Sequence, residues 1–272
     1  MSSLTEFAGS IPYNYDQYLG PLFFEPYAED IYGRLKGKRY QRVLELACGT
    51  GRLTRFLAEL TREEGQLYAT DLNPDMLQLA KEKTDDGRIR WGIVDAHELP
   101  YDTGFFDLVV CQFGVMFFKD KTHAFGEALR VLQPGGTFLF NTWDHFQYNA
   151  ASRISQLVLS EVLAPDPPDF LEKGPYSFFD PAMIRGLLEE AGFTHIRIET
   201  VAKMGALTSP GQVAAGFVDG SPLTGYLNER GAPKAEIKQR ITEAITAEFM
   251  NMMLPMQALV CSAQKSTRVI PV

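Results

Sequence analysis

The chain has 272 residues, and its 45% hydrophobic content can bury a large core in one elaborated domain or a domain with a cap. Its 26 Lys and Arg against 34 Asp and Glu give a net charge of -8, which disfavours nucleic acid as a partner, because neutralising a phosphate backbone needs clustered cations. The cysteines Cys48, Cys111 and Cys261 have no paired spacing, which argues against a disulfide framework and a zinc site; we expect no metal.

The first sixteen residues (MSSLTEFAGSIPYNYD) have neither a charged leader nor a continuous apolar segment, so we expect no secretory signal or transit peptide. The longest apolar stretch, residues 108–118, is interrupted by Gln112 and is shorter than the roughly 18 residues that indicate a membrane span. We therefore expect a cytoplasmic protein with no membrane partner.

Strand-like and helix-like segments alternate along the chain. Strands are predicted at 42–47, 66–70, 89–94, 106–112, 137–143, 193–201 and 258–264. Helices are predicted near 52–61, 74–83, 120–132 and 181–191, the last opening at a proline and closing before Gly192. This alternation predicts an α/β fold with a doubly wound, mostly parallel sheet.

The turn after the first predicted strand is the most informative stretch, residues 43–52 (VLELACGTGR). Gly49 and Gly51 allow positive φ and leave space for a bound molecule, and Glu45 adds a carboxylate near the same place. Asp71 ends the next strand about twenty residues on, the spacing expected of a ribose-binding acid. The alternative is a tight strand-to-helix turn with no ligand, and the dinucleotide pattern G-x-G-x-x-G is absent.

Small residues at 47, 49 and 51, after an acid at 45, resemble motif I of the class I S-adenosylmethionine (SAM)-dependent methyltransferases; Ala47 stands where that family usually has its first glycine. Further stretches resemble the family's later motifs in the correct order: residues 68–77 (YATDLNPDML), 92–101 (GIVDAHELPY), 105–118 (FFDLVVCQFGVMFF) and 129–136 (LRVLQPGG). The chain is most similar to the small-molecule type of this family, with a domain of the methyltransferase 11 or 25 kind. The resemblance implies a seven-stranded, Rossmann-like methyltransferase fold with helical lid insertions, and a last strand that runs antiparallel between its neighbours.

The resemblance also implies SAM as cofactor, S-adenosylhomocysteine as product, and a set of cofactor contacts. Asp71 would accept from both ribose hydroxyls, Asp95 would accept from the adenine amino group, and the Gln112 carbonyl would accept from the methionine ammonium. The full set of expected cofactor-binding residues is Glu45, Ala47, Gly49, Gly51, Asp71, Leu72, Met76, Asp95, Ala96, Gln112, Tyr15 and Tyr18. Leu72 and Met76 would sandwich the adenine, the Ala96 amide would reach its ring nitrogen, and a hydroxyl of Tyr15 or Tyr18 would reach the cofactor carboxylate.

These assignments have structural alternatives. Asp71 could cap the helix that begins near Asn73-Pro74, and Asp95 could cap or turn a loop. Methyl transfer itself requires mainly proximity and orientation. If the acceptor must lose a proton, His145, just after the fifth predicted strand, is the candidate catalytic base. His123 and His195 are expected to be structural.

We divide the chain into six segments. They are an N-terminal helical lid segment (1–40), a SAM-binding Rossmann-like core (41–143), a lid insertion (144–180), a core helix and strand (181–202), a substrate-cap insertion (203–256), and the last strand and tail (257–272). Because ligands of open α/β sheets bind beyond the carboxyl ends of the strands, insertions that emerge there would form a lid. The alternative is that they cover the sheet or mediate a homodimer.

The expected function is SAM-dependent methyl transfer to O, N or C of a small, partly apolar metabolite. One alternative is an NAD(P)-dependent oxidoreductase, although no Tyr-x-x-x-Lys pair on a helix is evident. The other is a methyltransferase-like protein that binds SAM but has a regulatory or non-methylating role.

Overall fold

The structure, a computed structural model, describes Phe7 and residues 9–267. The ends of the predicted 1–40 and 257–272 segments therefore lie partly outside the described residues. The chain divides into two compact units. The core unit comprises Ala28–Trp143, Phe178–Val201 and the chain from Ala258; the insertion unit comprises the chain up to Tyr27, Asp144–Ser177 and Ala202–Gln257.

A seven-stranded sheet is the main feature of the described residues. Its strands are β1 (Tyr40–Leu46), β2 (Thr61–Asp71), β3 (Ile89–Ile93), β4 (Phe106–Gln112), β5 (Leu132–Trp143), β6 (Phe193–Ala206) and β7 (Met253–Lys265). Their order is β3-β2-β1-β4-β5-β7-β6, in which β1 to β5 pair in parallel and β7 runs antiparallel to β5. This confirms the predicted fold class and the antiparallel last strand.

Strands β2, β5 and β7 begin earlier than their hydrophobic pattern predicts, and the pairing of the first two is irregular at the start. Thr61 pairs with Tyr40, but the next paired residue of β2 is Gln66, so the intervening residues form a bulge. Leu132 likewise pairs with Phe106 before the register resumes at Thr137. Charged residues fill the first bulge and Gln-Pro-Gly-Gly fills the second, so both looked like turns in the sequence.

The helices of the core unit pack on the two faces of the sheet. They are α2 (Glu25–Leu35), α3 (Thr54–Leu60), α4 (Pro74–Lys83), α5 (Lys121–Val131) and α8 (Pro181–Glu190). One face buries an aliphatic cluster that includes Val43, Leu57 and Leu139, whereas the other buries the ring pair Phe125 and Phe138 at 5.6 Å. Full burial of a side chain of this size stabilises a fold by about 1.5–3 kcal/mol.

Side-chain caps mark the starts of α4, α5 and α8, the last through Asp180. Asn73 caps α4 by accepting hydrogen bonds from the amides of Asp75 and Met76 at 2.9 and 3.0 Å. Asp120 caps α5 by accepting from the amide of His123 at 2.9 Å. Such caps satisfy N–H groups that have no partner within the helix.

The insertion unit is largely helical. Its elements are α1 (Ile11–Asn14), a π-helical segment (Tyr15–Phe24), α6 (Ala150–Val162), α7 (Phe170–Lys173), α9 (Gly211–Asp219), α10 (Leu223–Glu229) and α11 (Lys234–Glu248). The sequence also predicts an amphipathic segment at 152–163 and a helix-like run at 233–251, which correspond to α6 and α11. It predicts Gly/Ser/Pro turns in the region before 233, where the structure has α9 and α10. Pro210 and Pro222 instead stand at the N-caps of α9 and α10, and α9 buries Val213 and Phe217.

Cys48, Cys111 and Cys261 are free and buried, and burial raises the pKa of each thiol. None of the helices that the structure describes is both long and apolar enough to span a bilayer. Within the same residues no group of three or more His, Cys, Asp or Glu side chains is arranged to hold a metal ion.

Candidate functional site

The turn after β1 has an unusual backbone. Ala47, Gly49 and Gly51 have φ values of 52°, 54° and 81°, a region that costs a residue with a Cβ roughly 1–2 kcal/mol. A Cβ placed on Gly114, after β4, would lie 2.5 Å from the Cβ of Ala47. The turns that follow β1 and β4 therefore pack directly against each other at the carboxyl edge of the sheet.

Asp71 ties this turn to the end of β2. Its Oδ2 accepts a hydrogen bond from the amide of Gly49 at 2.8 Å, and its Oδ1 accepts from the amide of Asn73 at 2.8 Å. Burial raises the pKa of Asp71, although these backbone hydrogen bonds oppose the shift. Because Asn73 caps α4, the helix-cap alternative belongs to Asn73, and Asp71 instead connects two turns.

Glu45 lies close to Asp71 but is enclosed, with only 1% of its surface exposed. Thr54 donates a hydrogen bond from Oγ1 to Glu45 Oε2 at 2.6 Å. Burial raises the pKa of Glu45 to about 8, the Thr54 hydrogen bond lowers it, and the nearby charge of Asp71 raises it further. The sequence placed this carboxylate toward an open ligand space, whereas the structure places it in the interior.

Exposed apolar side chains flank the ends of β2 and β3. Leu72 is 64% exposed and Ile93 is 61% exposed, while Met76 is buried. Ile93 pairs with Asp71 in the parallel register, and the amide of Val94 donates to the Asp71 carbonyl at 3.2 Å. The sequence analysis named Leu72 as a candidate for the site and did not name Ile93, for which the available signal was an apolar residue at the end of a short strand.

Asp95 follows β3 on the same edge, with half of its side chain exposed, and Ala96 beside it is buried. Asp95 Oδ1 accepts hydrogen bonds from the His97 amide at 2.9 Å and from His97 Nδ1 at 2.6 Å. These hydrogen bonds, the backbone one foremost, lower the pKa of Asp95. The hydrogen bonds from His97 show that Asp95 stabilises the turn of its own loop, which is the structural alternative given for this residue. Its other oxygen, Oδ2, has no hydrogen-bond donor among the described residues.

The turn after β4 is stabilised by residues that the sequence did not identify. Phe113 has a φ of 51°, its amide donates to Asn141 Oδ1 at 2.9 Å, and its ring stacks on Trp143 at 4.0 Å. Gln112 pairs in register with Asn141. Asn141 is fully buried, and its Nδ2 has no hydrogen-bond partner among the described residues. A polar residue inside the apolar run FLFNTW was the available signal.

The three remaining predicted residues belong to the insertion unit. The ring of Tyr15 stacks on Phe24 at 4.9 Å, and the carbonyl of Tyr18 accepts from Gln212 Nε2 at 2.9 Å. His145 Nδ1 accepts from the amide of Gln147 at 3.2 Å. A neutral His145 ring therefore carries its hydrogen on Nε2, and it could act as a base only by giving up this contact.

Glu45 should make stability depend on pH. Because its folded pKa of about 8 exceeds the ordinary value of 4.5, the native state retains a proton that the unfolded state has lost between these values. Stability should therefore fall as pH rises from about 4.5 to about 8, by on the order of 1–4 kcal/mol. Urea unfolding across this range should show a smaller decline for Glu45→Gln, in which the raised pKa of Asp71 still contributes, and an unchanged decline for Glu189→Gln, at an exposed position. Parallel curves for the wild type and Glu45→Gln would contradict this account.

Comparison with known proteins agrees with this arrangement. A family described as "Methyltransferase domain" matches residues 44–140. The ubiquinone/menaquinone biosynthesis C-methyltransferase UbiE of Proteus mirabilis is 31% identical over 175 residues, which are 58% of this chain and 68% of that protein.

Two solved structures show the same fold. The Haemonchus contortus phosphoethanolamine N-methyltransferase 2, in complex with S-adenosylhomocysteine, has a TM-score of 0.62 at 17% identity, covering 98% of this chain and 60% of that chain. A Haloferax volcanii putative methyltransferase in complex with the Trm112 activator has a TM-score of 0.59 at 18% identity, covering 99% of this chain and 100% of that chain. The chain belongs to the class I SAM-dependent methyltransferases, and its activity is the transfer of a methyl group from SAM to a small molecule.

Proposed function

We propose that SAM binds along the carboxyl ends of β1 to β4 in the core unit, and that the methyl group goes to an uncharged, partly apolar aromatic acceptor. The main support for the proposed SAM site is the hydrogen bond from the Gly49 amide to the Asp71 carboxylate, which holds the Gly49 turn against the end of the neighbouring strand.

Space beside Gly49 supports the location of the nucleoside. The atom closest to an ideal Cβ on Gly49 is Met76 Cε, at 3.8 Å, so the turn leaves room on this side. Both oxygens of Asp71 accept backbone hydrogen bonds, from Gly49 and Asn73, and Leu72 supplies a further one. An ionised carboxylate has about four lone-pair sites, so lone pairs remain for a ligand. Those lone pairs can accept hydrogen bonds from the two ribose hydroxyls.

The adenine would lie against apolar surface. Leu72 and Ile93 present exposed side chains at adjacent strand ends, and a flat base that covers them removes apolar area from water. Asp95 would accept from the adenine amino group through Oδ2, with the Ala96 amide on a ring nitrogen. The buried side chain of Met76 would also contact the adenine, because it lies next to Gly49.

The methionine part of SAM would lie between the two packed turns. Ala47, Gly51 and the Gln112 carbonyl are the predicted contacts on this side. The charge of Asp71 raises the pKa of Glu45, and a ligand carrying ammonium and sulfonium cations would oppose that effect. Tyr15 and Tyr18 stay predictions for the cofactor carboxylate.

Charge in the insertion unit, which we propose supplies the acceptor-binding side chains, disfavours an anionic acceptor. Acidic residues outnumber Lys and Arg in this unit. Its described ion pairs include Arg153 with Glu248, Lys173 with Asp169, Arg230 with Asp166, Arg240 with Glu161, and both Lys234 and Lys238 with Asp219. An acceptor that carries a phosphate would have to compete with these carboxylates for a cation.

Aromatic side chains in the same unit favour a ring-containing acceptor. Tyr15 contacts Phe7 and Phe24, Phe23 contacts Phe217 at 5.8 Å, and Phe146 contacts Tyr176 at 5.3 Å. Aromatic rings pack well against one another in stacked and edge-to-face arrangements. The Proteus mirabilis relative is named as a C-methyltransferase of quinone biosynthesis. We therefore propose an electron-rich ring, such as a phenol or quinol, as the acceptor.

The chemistry needs little from the protein beyond positioning. The S–CH₃ bond breaks as the new C–CH₃ or O–CH₃ bond forms; the sulfonium becomes a thioether, and the acceptor loses one proton. Holding the two reactants in line can supply about 7–11 kcal/mol in favourable cases. His145 stays the candidate for accepting the proton.

We further propose that the protein is located in the cytoplasm and forms a homodimer.

Gly49→Ala should separate cofactor binding from folding. The new methyl group meets no described atom closer than 3.8 Å, so stability should fall only by the backbone strain, about 1–2 kcal/mol. In thermal melts, S-adenosylhomocysteine should raise the melting temperature of the wild type, NADH should not, and Gly49→Ala should lose the response.

Gly104→Ala is the matched control, because Gly104 also has a positive φ of 74° and open surroundings. It should lose similar stability and retain the full response to S-adenosylhomocysteine. A full response in Gly49→Ala would contradict the proposed position of the nucleoside, and a response to NADH alone would contradict the cofactor.

Acceptor class can be tested by methyl transfer from labelled SAM. We expect uncharged phenols and quinols to be methylated, with S-adenosylhomocysteine formed in equal amount, and phosphoethanolamine to be inert. Turnover of the phosphorylated amine, or no transfer to any ring compound by protein that binds SAM, would contradict the proposed acceptor.

A further inference from the structure

We infer that His97 is a positioning residue for adenine recognition, because it fixes the orientation of the Asp95 carboxylate and so sets the preference of the site for an amino-substituted base. This inference rests on the proposed cofactor site. His97 is not among the cofactor-binding residues predicted from the sequence.

Both hydrogen bonds that Asp95 receives from described residues fall on a single oxygen. The amide and Nδ1 of His97 donate to Oδ1 at 2.9 and 2.6 Å. A carboxylate held at one oxygen in this way directs the other oxygen away from His97. With half of the Asp95 side chain exposed, Oδ2 is accessible to a ligand.

The His97 ring is itself held from its far side. Its Nε2 faces the amide of Asp120 at 3.2 Å. Because a backbone amide can only donate, Nε2 must accept, and the ring hydrogen must lie on Nδ1. The backbone at the start of α5 therefore selects the tautomer that donates to Asp95.

A further contact limits the motion of the ring. The rings of His97 and Phe118 pack edge to face at a centroid distance of 5.9 Å. Because Asp120 and Phe118 both hold the His97 ring, the Asp95 carboxylate has little freedom to turn. His123 Nε2 donates to the backbone carbonyl of His97 at 2.8 Å and does not contact the ring nitrogens.

The orientation of Asp95 matters for the identity of the base. Adenine presents an amino group, which donates to a carboxylate oxygen, whereas hypoxanthine presents a carbonyl oxygen, which repels it. If Oδ2 of Asp95 is fixed in position, the site should bind the adenine compound more tightly than the hypoxanthine compound. A carboxylate that can rotate should lose part of this discrimination.

The experiment compares the affinities of S-adenosylhomocysteine and S-inosylhomocysteine by calorimetry. The wild type should prefer the adenine compound, and His97→Phe should lower that preference at least about tenfold, since hydrogen bonds to charged groups carry such free energies. His97→Asn should restore most of the preference, because its side-chain amide places an N–H donor where Nδ1 lies.

His123→Phe is the matched control. It removes a hydrogen bond from the same cluster but none from Asp95, so it should lower the melting temperature without changing the preference. Retention of the wild-type preference in His97→Phe would overturn the inference, as would an equal loss in His123→Phe.

Outcomes in the wild type separate this inference from the proposed function. A wild type that binds both compounds equally would overturn the roles of Asp95 and His97 while leaving the cofactor site intact. A wild type that binds neither compound would overturn the cofactor site and this inference together.

Discussion

The Asp71 carboxylate is the interaction on which the candidate site depends. It joins the Gly49 turn to the start of α4 through two 2.8 Å hydrogen bonds from backbone amides. Since a buried carboxylate is costly without partners, these bonds keep Asp71 in place and fix the strained turn at the same time. A second constraint acts from β4, where Gly114 allows its turn to approach Ala47. Contacts within the core unit thus fix the positions of Ala47, Gly49 and Asp71.

Much of this arrangement could be predicted from the sequence, because hydrophobic alternation and turn residues report directly on the sheet. The 74–83 helix was predicted with its observed bounds, and the antiparallel last strand followed from the family resemblance. The bulged starts of β2 and β5 could not be predicted, because the polar and turn residues there do not show the hydrophobic pattern of a strand. Glu45 shows a second limit, because its enclosure by Thr54 arises from tertiary packing rather than local pattern.

Residues that act through others were the hardest to find from sequence. Asn141 and His97 make contacts over long sequence separations, with Phe113 and with Asp120, and neither spacing resembles a motif. The acceptor side is also weakly specified by sequence, because methyl transfer requires no fixed catalytic group. There the informative features are the paired cations and the aromatic contacts of the insertion unit, which only a folded chain reveals.

The most direct test of the central claim is a double-mutant cycle on the ribose contact, measured by calorimetry. S-adenosylhomocysteine and its 2′,3′-dideoxy analogue are each titrated into the wild type and into Asp71→Asn. The account predicts that loss of the hydroxyls weakens binding to the wild type about tenfold or more, and weakens binding to Asp71→Asn far less. The same loss in both proteins would show that Asp71 only ties the turn and does not bind the ribose.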